Sequence, residues 1–151
     1  MLAADLPAVV ALGDAVHGSD FFEPAAVFIE RLRLFPAGCC VAGDPLCAYA
    51  IAHPWHLATP PALGTMLLAL PADADCLYLH DAVVAPAARN ARLGSALVLR
   101  LRALARAHGL AALALTAVRG SASYWARHGF TAGASSDATY GSGAVRMAAQ
   151  A

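Results

Sequence analysis

The residues best suited to chemistry lie in one stretch, 77–97. It opens as an apolar run interrupted by a single polar pair, His80 and Asp81. Imidazole is the side chain that ordinarily titrates nearest neutral pH, so a histidine at the end of a buried strand is a candidate proton acceptor. Asp81 is the second candidate, and strand alternation would turn it to the opposite face. The competing reading makes both ordinary satisfied polar groups. Beyond Pro86 come Arg89, Asn90, Ala91, Arg92, Leu93, Gly94 and Ser95, where a loop turns into a helix. The first turn of a helix carries unpaired N–H groups and the positive end of the helix dipole, a natural seat for a pyrophosphate. Small residues at 90, 91, 94 and 95 would let phosphate oxygens reach the backbone, with Arg89 and Arg92 adding positive charge. Taken alone, the pattern also fits a plain strand-to-helix connection.

These residues need elements to hold them. A helix is expected over 5–17, with Asp5 as its cap and Pro7 in its first turn. A second starts near Pro24, with Val27, Phe28, Leu32 and Phe35 at helical spacing, and stops at 36–38. Strands over 39–42 and 46–53 flank the turn Gly43, Asp44, Pro45. Residues 54–75 carry four prolines, and so long a loop implies a job such as covering a site. A buried strand follows over 76–84. The next helix runs to about His108, with Leu93, Leu97, Leu101 and Leu104 inward and Gly109 as its left-handed cap. A strand over 110–117, a short helix over 121–128 and a strand pair at Phe130 and 144–149 complete an α/β domain with a mixed sheet.

Composition bounds what this domain can do. The chain has 151 residues, 60% hydrophobic and 13% charged, with formal net charge zero. That is one ordered domain, 1–151. All ten basic residues are arginine, and no basic run offers a grip on a phosphate backbone, so nucleic acid is not an expected partner. No apolar run is long enough to span a membrane, and no signal peptide is visible. The four cysteines include no Cys-x-x-Cys pair and read as reduced thiols of a cytoplasmic protein. An apolar, neutral chain also invites a homodimer. His53 and His56 look like a metal pair, but Pro54 forbids helical placement and nothing nearby completes a site, so no metal is expected. Trp55 and His56 could line an acceptor pocket or simply anchor the loop. His17, His108 and His128 stand at helix ends, where a polar residue is unremarkable.

The stretch at 77–97 resembles the acetyl-CoA motif of the GNAT (GCN5-related N-acetyltransferase) superfamily, written Arg/Gln-x-x-Gly-x-Gly/Ala after a strand and a proline-containing turn. Arg89 matches its first position and Gly94 its last. A second segment, with Tyr124, Trp125, Gly129 and Phe130, resembles the family's aromatic–aromatic-x-x-x-Gly-Phe segment. The resemblance covers residues 5–149 and is strongest over 77–130. It implies a single α/β (α+β) domain, a mixed central β-sheet with helices on both faces, and an N-acetyltransferase. Such an enzyme moves an acetyl group from acetyl-CoA to a primary amine by direct attack, without an acyl-enzyme. The acceptor is a small-molecule amine or a protein amino group. The resemblance puts the pantetheine arm along Ala82, Val83 and Val84 between two splayed strands, and the pyrophosphate on the amides of 90–95. The oxyanion would meet the N–H of Val83 or Val84. Arylalkylamine acetyltransferases carry a histidine at the offset of His80.

The sequence also departs from the family. Arg92 stands where the first glycine is usual, and Val118 replaces a frequent CoA-contacting asparagine. Trp125 replaces the tyrosine that often protonates the departing thiolate, and Tyr124 beside it should point elsewhere. Ser121, Ser123 or water remain as donors. The alternative is a non-catalytic acyl-CoA-binding or interaction module of the same fold.

Overall fold

A computed structural model describes residues 1–133 and 140–151, with the backbone alone at Asn90 and Ala91. Half of the Ser/Ala/Gly-rich stretch 132–143 therefore lies outside the described residues. Helix α1 spans Leu6–His17 with Pro7 at its start, where a missing N–H costs nothing. Asp5 does not cap it; its carboxylate accepts the Leu2 N–H at 2.6 Å and closes the turn before the helix. Helix α2 spans Ala25–Leu34, and a 3-10 turn at Pro36–Gly38 leads into β1, Cys39–Ala42.

Strand β2 is Ala48–Trp55, displaced from the expected 46–53 and running through Pro54. β1 pairs only as far as Ile51, so beyond that point one edge of β2 has no ladder for a proline to interrupt. β3 is Cys76–Val84, α3 is Leu93–Ala107, β4 is Ala112–Ala117, α4 is Ala122–Ala126, β5 is Thr131–Ala132 and β6 is Val145–Gln150. α3 ends at Gly109, φ +68°, where Gly109 N–H and Leu110 N–H return to the carbonyls of Arg106 and Ala105.

The six strands lie in the order β1-β2-β3-β4-β6-β5. Only β3 and β4 pair in parallel, joined by the α3 crossover. Strand alternation sorts the core into two halves. Ala50, Ala52, Leu77 and Leu79 pack beneath Val98, Leu101 and Ala105 of α3. Tyr49, Ile51 and Val83 pack beneath Val9 of α1 and Val27 and Phe28 of α2. The helices therefore cover both faces. The buried stripe of α3 is Val98, Leu101 and Ala105, with Leu97 and Leu104 at its border, a slight rotation from the expected leucine face. Among the described residues no helix is long and apolar enough to cross a membrane.

Candidate functional site

The site begins where the sheet opens. β3 and β4 pair from Cys76↔Ala112 to Leu79↔Leu115 and no further, although β3 continues to Val84 and β4 to Ala117. Past Leu79 the edge of β3 that faced β4 is without a strand. Its other edge stays paired to β2, with Ala48↔Val84, Tyr49↔Val83 and Ala50↔Ala82. Ala85 N–H bonds to Cys47 C=O at 2.8 Å, which sets the phase of this antiparallel ladder. In such a ladder hydrogen-bonded pairs alternate. Val83 therefore turns its N–H and C=O toward β2, and Ala82 and Val84 turn theirs toward the opening. Of the two expected oxyanion donors, Val84 alone presents its amide to the cleft.

The register slips between Ile51 and Ala52, which face Asp81 and Leu79 respectively. His80 is thus the extra residue of a β-bulge, a device that re-aims side chains. The slip breaks the alternation that would have separated His80 from Asp81, and both point to the α1/α2 face. This corrects the expectation that Asp81 faces away. Each meets a partner far off in sequence. His80 Nε2 lies 2.8 Å from Glu23 Oε2, with both side chains almost fully buried. Since an ionised carboxylate only accepts, Nε2 carries a hydrogen, and in the neutral ring Nδ1 is the lone pair. That Nδ1 is buried with no hydrogen-bond partner among the described residues. Burial alone would raise the Glu23 carboxyl, but the hydrogen bonds from His80 and the Gly64 amide outweigh it and hold it below the usual range. Asp81 takes a hydrogen bond from Tyr49 Oη at 2.5 Å and pairs with His17 Nε2 at 2.9 Å. His17, read as an unremarkable helix end, therefore stands in the cleft.

Loop 54–75 is tied down by buried charges from α2 and the turn before it. Glu30 accepts the amides of Leu67 and Leu68, Arg31 donates to the Thr65 carbonyl, and Glu23 accepts the Gly64 amide. Arg31 itself is fully buried and paired to Glu30. Pinned this way, the loop presents Leu63 to the cleft. Trp55 and His56 do not reach it. Trp55 Nε1 donates to the Thr59 carbonyl and His56 pairs with Asp73, so they anchor the loop. His53 is fully buried and its Nδ1 contacts the Pro54 carbonyl.

The opposite end of the cleft is the start of α3. A 3-10 turn at Pro86–Ala91 delivers Arg92 in the left-handed region, φ +56°, and α3 begins at Leu93. Among the described residues no side chain caps this end, so its first amides face the opening. Gly94 is needed for an unexpected reason. The Tyr124 hydroxyl packs against it so closely that a Cβ has no room. Tyr124, expected to point elsewhere, therefore lines the cleft beside Trp125, and burial pushes its phenol upward. The side chains of Asn90 and Ala91 lie outside the described residues.

Together these parts enclose a cleft of about 740 Å³. His80, Asp81, Ala82, Val83, Val84, Arg89 and Gly94, all picked out in the sequence, border it, and Arg92, Leu93 and Ser95 flank its α3 end. His17 and Glu23 border it too, without any sequence signal. Both belong to segments that reach β3 only through the tertiary fold.

The acetyltransferase (GNAT) family model matches residues 14–130. Among solved structures the chain is similar to Ard1 from Thermoplasma volcanium, with TM-score 0.75 and 13% identity over 99% of this chain and 93% of that one. It is also similar to the GphF GNAT-like decarboxylase in complex with isobutyryl-CoA, with TM-score 0.80 and 18% identity over 99% and 96%. A third similar structure is Chaetomium thermophilum Naa20 in complex with a bisubstrate analogue, with TM-score 0.71 and 17% identity over 99% and 84%. At these identities the likeness is one of fold. No curated protein matches the chain at a significant level.

Proposed function

Because this chain belongs to the acetyltransferase (GNAT) family and is an acetyl-CoA-dependent N-acetyltransferase, we propose that the cleft is its active site and that His80 is the base. The observation that carries this reading is the opened sheet. An unpaired stretch of β3 ends beside an uncapped helix start, with a buried histidine lone pair at the fork. The pantetheine arm adds to the β3 edge through the backbone of Ala82 and Val84, as a peptide would in β-augmentation. The pyrophosphate lies on the amides of 90–95, with Arg89 and Arg92 at its rim.

The acceptor amine enters from the α1/α2 side. His80 Nδ1 removes one proton from the ammonium, and Glu23 holds the ring and balances the charge it acquires. The amine nitrogen attacks the acetyl carbon, and the oxyanion is met by the Val84 amide. The nitrogen sheds its second proton as the C–S bond breaks, the departing sulfur takes up a proton, and CoA leaves as the thiol. Asp81, with both oxygens engaged, positions its neighbours instead of taking the proton. The acceptor is a small amine or a protein amino group. The same reading puts the protein in the cytoplasm as a homodimer, supported by four free cysteines and by exposed Phe22, Ile29, Met66 and Leu68.

The test is acetyl-CoA binding by calorimetry for wild type and Ser95→Glu. Ser95 is an exposed residue in the first turn of α3, where a carboxylate favours the helix but repels a phosphate. Binding should weaken by about 100-fold, roughly 2.7 kcal/mol, with unchanged thermal stability. Undiminished binding would remove the pyrophosphate from this loop. A wild type that binds CoA but acetylates nothing in a broad amine screen would favour the non-catalytic module.

A further inference from the structure

The missing tyrosine leaves a chemical gap. Trp125 has only an indole N–H and cannot protonate a thiolate, and the Tyr124 hydroxyl lies against Gly94, at the pyrophosphate end of the cleft. The cleft nevertheless holds another proton carrier. α1 approaches the sheet at Gly13, where an added Cβ would stand 2.6 Å from Tyr49 Oη. One helical turn later, on the same side, His17 reaches Asp81. Because Asp81 only accepts, His17 Nε2 supplies the hydrogen of that pair, and Tyr49 occupies the other carboxylate oxygen. Among the described residues His17 Nδ1 has no hydrogen-bond partner, and the side chain is 21% exposed at the cleft wall.

Resting on the acetyltransferase reading above, we propose that His17 is the proton donor to the departing CoA sulfur, in the role that Trp125 cannot fill. As the new N–C bond forms and the C–S bond breaks, the sulfur takes the bonding electron pair and a proton from His17 Nδ1. His80 has taken one proton from the ammonium, the second proton that the nitrogen loses as the amide forms passes to solvent, and solvent then resets both histidines. The surroundings suit the task. The hydrogen bond to Asp81 raises the His17 pKa, against the opposing effect of burial. Arg119, from the loop before α4, lowers it, while Glu23 raises it. Tyr49 on β2 stays a neutral donor to Asp81, and Asp20 is engaged by Arg119. Phe21 meets the ring edge-on at 6.3 Å. The two histidines differ in setting: His17 keeps part of its ring exposed at the cleft wall, whereas the His80 side chain is almost fully buried.

The experiment needs no acceptor. The thiolate absorbance of CoA bound to wild type and to His17→Gln is titrated against pH. A protonated His17 beside the sulfur should lower the thiol pKa in the wild-type complex by about one unit relative to the variant. Glutamine keeps a donor to Asp81, and unchanged CoA affinity certifies the fold. With any amine the enzyme turns over, kcat of His17→Gln should fall by about 100-fold. Wild-type activity should fall at high pH as His17 deprotonates, and in the variant that fall should move or vanish. Equal thiol pKa values in the two complexes would overturn the assignment of His17 while leaving the acetyltransferase reading intact. Failure of wild type to bind CoA would overturn both.

Discussion

The two ends of the cleft are built by different means. At the α3 end, every group proposed to meet a phosphate belongs to one run of chain, 89–95, and most of the contact falls to backbone amides. At the acceptor end, the polar groups come from α1, from the turn before α2, from β2 and from β3, and they meet as side chains. A site made of local backbone tolerates side-chain change, because any residue supplies an N–H. A site made of distant side chains does not, because each partner must be present and each buried polar group satisfied. The comparison predicts that binding and chemistry are separable by mutation.

The largest effect should come from His80→Gln, which keeps a hydrogen bond to Glu23 but offers no basic lone pair. We expect kcat to fall by about 10²–10³-fold with acetyl-CoA affinity within about twofold of wild type. Glu23→Gln should lose less, about tenfold, since the ring keeps a hydrogen-bond partner and loses only charge balance. Steady-state kinetics beside calorimetry would check both. A parallel loss of CoA affinity in His80→Gln would break the comparison, because it would make one coupled site of the two ends.

The same contrast explains what was legible from residues alone. The fold order, the exact span of β3, the Gly109 cap and the loop at 89–95 were readable, because periodicity and turn chemistry are local signals. The bulge at His80 was not, since it arises from the register with β2, which no local pattern encodes. Asp81 was accordingly assigned to the wrong face. Glu23 and His17 carried no signal, since each draws its role from a partner more than fifty positions away. Tyr124 was misjudged for a similar reason: its direction depends on how α4 docks against Gly94. Glu30 and Arg31 carried no signal either, since they pin loop 54–75 through contacts more than thirty positions away.

A middle-sized effect concerns stability at the acceptor end. Burial pushes His53 down to about 3, so it is neutral in the fold across the mildly acidic range. In the unfolded chain it binds a proton below its ordinary value of 6.5. The unfolded state thus holds more protons, and stability should fall as pH drops from 6.5, by roughly 2–3 kcal/mol at pH 4.5. His17 has the opposite sign. Its raised pKa stabilises the fold fully below 6.5, and that contribution is lost as pH rises through the folded value. Urea unfolding of wild type and His53→Leu at pH 7 and 4.5 should show a smaller acid loss in the variant. An equal loss in both would mean that the buried cluster of His53, Tyr78 and His80 relaxes on protonation, and the acceptor end would be softer than its packing implies.

The smallest effect sharpens the other side of the comparison. Arg92 occupies a left-handed conformation, φ +56°, where a side chain costs about 1 kcal/mol and glycine is free of that penalty. Arg92→Gly should relieve the strain but increase the entropy of the unfolded chain, leaving a net gain of about 0.5 kcal/mol. If Arg92 grips a phosphate, the same change should weaken acetyl-CoA binding by about threefold to tenfold. Arg92→Ala removes the guanidinium while keeping the strained backbone, so it separates the two terms. Stability gained with affinity lost would show a strained arginine retained for its charge. Affinity unchanged in both variants would mean that the amides of this turn bind the pyrophosphate unaided, and the α3 end would be a backbone site in full.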